Sequence, residues 1–157
     1  MKEVYGDIWD YKADYLLITT NGDINRYGFA VMGRGVAKQA SEIDFHIKSI
    51  LAEKLKLYGN HVCYLKIYST EETYTTGKGC IAWVSFPVKH HWHEKADLDL
   101  IKRSAQELTI IIDSESLRDK IFVLPRPGCG NGSLKWEDVK PVIENILPDN
   151  VHVITYK

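Results

Sequence analysis

Two short apolar runs constrain this chain most: Tyr15-Leu16-Leu17-Ile18-Thr19-Thr20 and Lys120-Ile121-Phe122-Val123-Leu124. Both are rich in β-branched and aromatic residues, and a glycine-rich stretch lies between each and the next helix-like segment. A short, nearly continuous apolar run bounded by turn residues suits a strand covered on both faces. Such strands need helices above and below, so the chain is expected to layer helices on a sheet.

The rest of the sequence keeps the alternation. Lys2–Tyr5 reads as a short edge strand. Residues 36–57 read as helix, broken near 42–44, and residues 62–68 as a strand. Residues 71–79 are polar and Thr-rich and read as a turn; residues 80–86 form another β-rich run, ended by Pro87. In residues 97–112, Leu98, Ile101, Ala105, Leu108 and Ile112 share one helical face. Asp97 and Asp99 stand at its start, where the helix dipole favours negative charge. Residues 133–147 are expected to form a last helix striped by Val139, Val142, Ile143, Ile146 and Leu147, and residues 151–156 a last strand. The expected fold class is α/β: a three-layer α/β/α sandwich with a mixed, largely parallel sheet, in one domain over residues 1–157.

Composition narrows the function classes. The formal net charge is −1, without the basic excess of a protein that binds nucleic acid by neutralising phosphates. Cys63, Cys80 and Cys129 are an odd number of cysteines and form no C-x-x-C pair. No apolar run is long enough to cross a bilayer, and Lys2, Glu3 and Asp7 interrupt any secretory h-region. A soluble, reduced, cytoplasmic protein with no membrane partner is expected.

The glycine stretches follow strands, and in open α/β sheets ligands sit outside the carboxyl ends of the strands. The first is Gly28-Phe29-Ala30-Val31-Met32-Gly33-Arg34-Gly35-Val36-Ala37; the second is Arg126-Pro127-Gly128-Cys129-Gly130-Asn131-Gly132-Ser133. Glycine lets backbone N–H groups approach an anion, and a following helix adds unsatisfied N–H groups. Two such loops would grip a diphosphate from both sides. The competing structural role for the second loop is a tight turn with Ser133 capping the helix. This second loop does not read as a Walker A motif or as a strict G-x-G-x-x-G.

Gly6-Asp7-Ile8, Ile18-Thr19-Thr20-Asn21, residues 31–37 and Leu124-Pro125-Arg126-Pro127-Gly128-Cys129-Gly130-Asn131-Gly132 together resemble the macrodomain family. Ser85-Phe86-Pro87-Val88-Lys89-His90-His91-Trp92 resembles the branch that holds the DarG antitoxin macrodomain and the terminal ADP-ribose protein glycohydrolase. Residues 130–136 look more like the DarG version. The resemblance implies ADP-ribose, or an ADP-ribosylated substrate, as the partner, with no cofactor and no metal. Asp7, with Ile8, matches the position that receives the adenine amino group, a task for an acceptor-only carboxylate. Val31, Met32, Gly33, Arg34, Gly35 and Val36 match one phosphate loop. Gly128, Cys129, Gly130, Asn131, Gly132 and Ser133 match the other. Asn21 matches the asparagine beside the distal ribose, and Lys89 the lysine that attacks its anomeric carbon. That attack needs a neutral amine, which burial or a neighbouring cation supplies by depressing the lysine pKa.

Two departures stand out. The glycohydrolase branch keeps a catalytic aspartate where this chain has Gly132, and the stretch from Asn21 to Val31 is longer than in DarG, adding Asp23, Asn25, Arg26 and Tyr27. The function expected from the resemblance is ADP-ribosyl hydrolysis from a nucleic-acid or protein acceptor, a single-stranded nucleic acid included. An ADP-ribose 1″-phosphate phosphatase and a non-catalytic ADP-ribose reader are the competing readings.

Other clusters point less far. His90-His91-Trp92-His93-Glu94 lacks a second ligand cluster with zinc spacing. Cys129 sits near an expected helix start, where a thiol pKa can fall, but no histidine partner is identifiable. Tyr58, Tyr64, Tyr68, Tyr74, Trp83 and Trp136 read as core or strand-surface residues.

Overall fold

A computed structural model of the chain describes residues 1–68 and 80–156; the turn read at residues 71–79, with Tyr74, lies outside them. Among the described residues there are six strands and four helices, in the order β1 Lys2–Tyr5, β2 Tyr15–Thr20, α1 Gly35–Ile43, α2 Ile47–Tyr58, β3 Cys63–Ile67, β4 Ala82–Pro87, α3 Leu98–Ser114, β5 Phe122–Pro125, α4 Trp136–Ile143 and β6 Val151–Thr155. They form one sheet in the order β1-β6-β5-β2-β4-β3. Among these described strands β3 and β4 pair antiparallel, and the other pairings are parallel. The expected mixed, largely parallel sheet is the one observed.

Period-two alternation along the strands splits the core in two. Leu17, Val84, Phe86, Phe122 and Leu124 meet Ile101, Ala105, Leu108 and Ile112 of α3 and Val139 and Ile143 of α4 on one face. Leu16, Ile18, Trp83 and Val123 meet Ala37 and Ala40 of α1 and Ile47, Leu51 and Ala52 of α2 on the other. Helices therefore cover both faces, which explains why β2 and β5 read as continuously apolar. The helix over residues 36–57 breaks as expected, with Asp44 ending α1 and its carboxylate accepting from the His46 amide at 3.1 Å. Asp97 caps α3 by accepting from the Asp99 amide at 2.9 Å.

The last helix differs from the expected residues 133–147 at both ends. The last helix begins at Trp136, not Ser133, and ends at Ile143. Ser133 has φ +64°, a left-handed backbone that cannot start a right-handed helix. The Leu134 amide then donates back to the Gly128 carbonyl at 2.9 Å, so residues 133–135 close the glycine loop. Ser133 is therefore not the helix cap; Lys135 takes that position without a side-chain cap bond.

Candidate active site

Parallel pairing places the ends of three strands side by side. Thr20 of β2 is in register with Pro87 of β4, and β5, the other neighbour of β2, ends at Pro125. Asn21, Lys89 and Arg126 thus leave the sheet at one edge, where a cavity of about 480 Å³ opens. Its wall takes Asn21, Val31, Met32, Gly33, Arg34, Gly35, Val36, Lys89, Gly128, Gly130, Asn131 and Gly132 from the residues expected by sequence.

Ile8 and Cys129 lie elsewhere, in an adjoining cleft of about 370 Å³ that shares Val36, Pro125, Arg126 and Gly130 with the first. Gly6 also lines it, as do Ile154 and Tyr156. Asp7 lines neither space; its Oδ1 accepts from the Trp9 amide at 2.9 Å, a turn-capping role. Ser133 lines a recess beside Arg34, Lys89, Trp92 and Asn131.

The two glycine loops differ in construction. The first runs into α1, whose start at Gly35 lines the cavity and carries neither an acidic first turn nor a side-chain cap. Its first N–H groups have no intrahelical acceptor and suit an anion. The second loop does not open a helix onto the cavity. Glu137 and Asp138 occupy the first turn of α4, which would repel a phosphate there, so the expectation of a second helix dipole is corrected. What this loop offers is backbone. A Cβ on Gly130 or on Gly33 would meet no protein atom within 4 Å, so the space beside both belongs to the cavity.

Gly132 is constrained in the opposite way. A Cβ there would lie 2.5 Å from the Gly128 carbonyl oxygen and 2.7 Å from the Ala96 Cβ. The loop in this form has no room for the aspartate of the glycohydrolase branch.

Lys89 is bonded to the second glycine loop and to its own segment. Its Nζ donates to the Asn131 carbonyl at 3.1 Å and to the Trp92 carbonyl at 3.3 Å. Burial lowers the Lys89 pKa from its ordinary value, and the Arg34 cation lowers it further. A neutral amine has two N–H donors and one lone pair. In that form the two carbonyls would take both donors, and Lys89 lines the cavity. Asn21 is structural in part: its Nδ2 donates to the Val31 carbonyl at 3.0 Å and its Oδ1 accepts from the Asp23 amide at 3.0 Å.

Sequence reasoning missed several wall residues. Thr20 Oγ1 is buried with no hydrogen-bond partner among the described residues, and Thr20 lines the cavity. A buried hydroxyl left unpaired is costly unless a ligand satisfies it. Arg126 lines both spaces and lies 4.7 Å over the Trp136 ring, with Nη2 3.5 Å from Glu3 Oε1. Trp136 packs, partly buried, against the core and also lines the second cleft. Only the place of Arg126 inside a glycine motif could have signalled it. Trp92 is 53% exposed at the cavity mouth.

The remaining candidates have plain environments. Burial pushes the Cys129 thiol up to about 11, the opposite of an activated nucleophile. His90 pairs with Asp97 at 2.8 Å and His91 with Asp23 at 2.8 Å. Among the described residues no group of three or more His, Cys, Asp or Glu side chains could hold a metal ion. No helix among them is long and apolar enough to cross a membrane.

No family model matches the sequence. Solved structures match throughout. The macrodomain of Mycobacterium tuberculosis DarG superposes with a TM-score of 0.76 at 23% identity, covering 99% of this chain and 97% of that one. The macrodomain of Thermus aquaticus DarG gives 0.71 at 23% identity, with the same coverage. Thermosipho africanus DarTG in complex with ADP-ribose gives 0.75 at 20% identity, covering 98% of this chain and 41% of that one. In sequence, a curated DNA ADP-ribosyl glycohydrolase from Thermus aquaticus is 32% identical over 75 residues, 46% of this chain. That match covers only 20% of the relative's length. In fold, with the six described strands in one mixed sheet and the cavity at the strand ends, this chain is similar to the DarG macrodomains.

Proposed function

We propose that this protein binds ADP-ribose across the two joined clefts and acts as an ADP-ribosyl hydrolase, with Lys89 as its catalytic residue. The pyrophosphate is assigned to the space between Gly33 and Gly130, against the open N–H groups of α1. The adenosine is assigned to the cleft lined by Ile8, Val36, Cys129 and Tyr156, and the distal ribose to the cavity beside Asn21, Thr20 and Lys89. Asp7, one residue from that cleft wall, is assigned to the adenine amino group through its second carboxylate oxygen.

The observation that carries the reading is the setting of Lys89: an amine with a depressed pKa, with two carbonyls for its two donors, on the wall shared with both glycine loops. In the reaction its nitrogen bonds to C1″ of the distal ribose. The bond from C1″ to the acceptor breaks, its electron pair leaves with the acceptor, and the acceptor takes up a proton. The sugar ring opens to an imine on Lys89. Water then hydrolyses that imine, releasing ADP-ribose and restoring the amine. A nucleic-acid base is the favoured acceptor. The relative that shares 32% identity is named for DNA, and the crowded Gly132 position leaves no carboxylate for the aspartate-assisted route.

The test is a substrate panel of an ADP-ribosylated single-stranded oligonucleotide, an ADP-ribosylated protein and ADP-ribose 1″-phosphate, with calorimetry on ADP-ribose. Turnover of the oligonucleotide is expected, lost in Lys89→Ala with binding of ADP-ribose retained. Absence of ADP-ribose binding at millimolar concentration, or full activity of Lys89→Ala, refutes the reading.

A further inference from the structure

The loop that carries Trp92 leaves the sheet at Val88 and Lys89, whose amides donate to the Thr20 carbonyl at 2.9 and 3.4 Å. Beyond them, residues 91–92 are bonded to Asp23, in the long stretch between Asn21 and Val31. The Asp23 carboxylate accepts from His91 Nδ1 at 2.8 Å through Oδ1 and from the Trp92 amide at 2.8 Å through Oδ2. The backbone of the same residue faces the other way: its N–H donates to Asn21 Oδ1 at 3.0 Å, and its carbonyl accepts from the Val31 amide at 3.1 Å. One residue therefore bonds the distal-ribose asparagine, the start of the first phosphate loop and the segment that orients Lys89. Gly22 reinforces the join. Its amide donates to the His90 carbonyl at 3.1 Å, and a Cβ on it would lie only 2.8 Å from that oxygen.

We infer that Asp23 is a positioning residue for the lysine: it fixes residues 91–92, and with them the Trp92 carbonyl that holds Lys89 Nζ, against the Asn21 and Val31 side of the cavity. The inference rests on the proposed role of Lys89. A carboxylate suits the position because both donors need an acceptor and a carboxylate is acceptor on both oxygens. The charged hydrogen bonds are the strong kind. Asparagine offers one such oxygen and would turn an NH₂ group toward the other donor. Arg26 and Tyr27, which accompany Asp23 in the same stretch, bond each other at 2.7 Å and do not line the cavity. Displacement of a reacting group by about 1 Å costs as much as a hundredfold in rate, so loss of the staple should appear in turnover more than in binding.

The experiment compares wild type, Asp23→Ala, Asp23→Asn and Lys89→Ala. Each is measured for kcat and KM on the ADP-ribosylated oligonucleotide and for the Kd of ADP-ribose. The His91 imidazole is titrated by NMR in wild type and in Asp23→Asn. In Asp23→Ala kcat should fall about ten- to a hundredfold, and in Asp23→Asn by less, with Kd for ADP-ribose changed less than about threefold. The raised pKa of His91 should drop in Asp23→Asn. If Asp23→Ala does not fold, Asp23→Asn, nearly isosteric, decides. Unchanged kcat in the Asp23 variants, while Lys89→Ala is inactive, overturns this inference and leaves the proposed function standing. So does a loss confined to Kd and KM. Turnover that survives Lys89→Ala overturns the proposed function and this inference together.

Discussion

The Lys89 Nζ donates to the Asn131 carbonyl at 3.1 Å, so the segment that follows β4 is bonded into the glycine loop that follows β5. The two segments lie 42 positions apart in sequence. They meet because β4 and β5 flank β2 on opposite sides and end at the same edge. The lysine that the sequence singles out by family pattern is thus placed by parallel pairing, and its acceptors are backbone atoms whose supply does not depend on side-chain identity.

The titration of this amine has a definite sign. In the proposed reaction the neutral form attacks, so kcat should fall as pH drops through the Lys89 pKa and reach a plateau above it. Burial and then Arg34 set that pKa below the ordinary lysine value. Arg34→Gln removes the nearby cation and should shift the midpoint of the acid limb upward, so that at neutral pH and saturating substrate the variant turns over more slowly than wild type. Lys89→Arg, whose guanidinium stays protonated, should be inactive at every pH. A pH–rate profile at saturation, with wild type and Arg34→Gln side by side, checks both. Coincident limbs would exclude Arg34 as a determinant.

The glycines should separate ligand space from fold requirement. Gly130→Val adds a side chain where a Cβ meets no protein atom within 4 Å. Thermal stability should therefore change little, while the ADP-ribose Kd rises at least about tenfold, the effect of roughly 1.4 kcal/mol. Gly132→Asp adds a Cβ against the Gly128 carbonyl and Ala96. It should lose about 2–3 kcal/mol of stability through overpacking and gain no activity on an ADP-ribosylated protein. Melting curves and calorimetry on the two variants give the answer. Equal losses of stability would mean that the space beside Gly130 is not a ligand's.

The legibility of these features in sequence followed the range of the forces involved. The strands and the α1–α2 break were readable because apolar period and turn residues act within a few positions. The start of α4 was not, because Ser133 is held left-handed by a loop that folds back from Leu134 onto Gly128. Family motifs located Lys89, Asn21 and both glycine loops, yet they could not tell that Asp7 Oδ1 is already occupied by the Trp9 amide. They also could not distinguish Gly130, which borders empty space, from Gly132, which is crowded. The pairing of Asp23 with His91 spans 68 positions, and no local pattern announces it. Thr20 looked like the end of a strand; only the cavity beside its unpaired hydroxyl gives it a further meaning.

The helix that follows the first glycine loop is anchored at its far end by Asp44, and that anchor should be visible in stability against pH. The Asp44 carboxylate accepts from Lys66 Nζ at 2.7 Å and from the His46 amide at 3.1 Å, with the Asp44 side chain 9% exposed and that of Lys66 28% exposed. Burial alone would raise the Asp44 pKa, but the bonds from Lys66 and His46 and the Lys66 charge outweigh it, and the value lies below the ordinary one. A carboxylate depressed in the folded state contributes stability above its unfolded pKa, about 4, and loses it as pH falls through the lower folded value. Asp44→Asn should therefore cost on the order of 1.5–3 kcal/mol at pH 7, the range for hydrogen bonds to a charged group. The gap between wild type and variant should narrow steadily below about pH 4 as Asp44 protonates in the wild type. Urea unfolding at pH 7, 5 and 3 measures it directly. A gap that stays constant across those three values would mean that the ionised carboxylate is not what holds the end of α1.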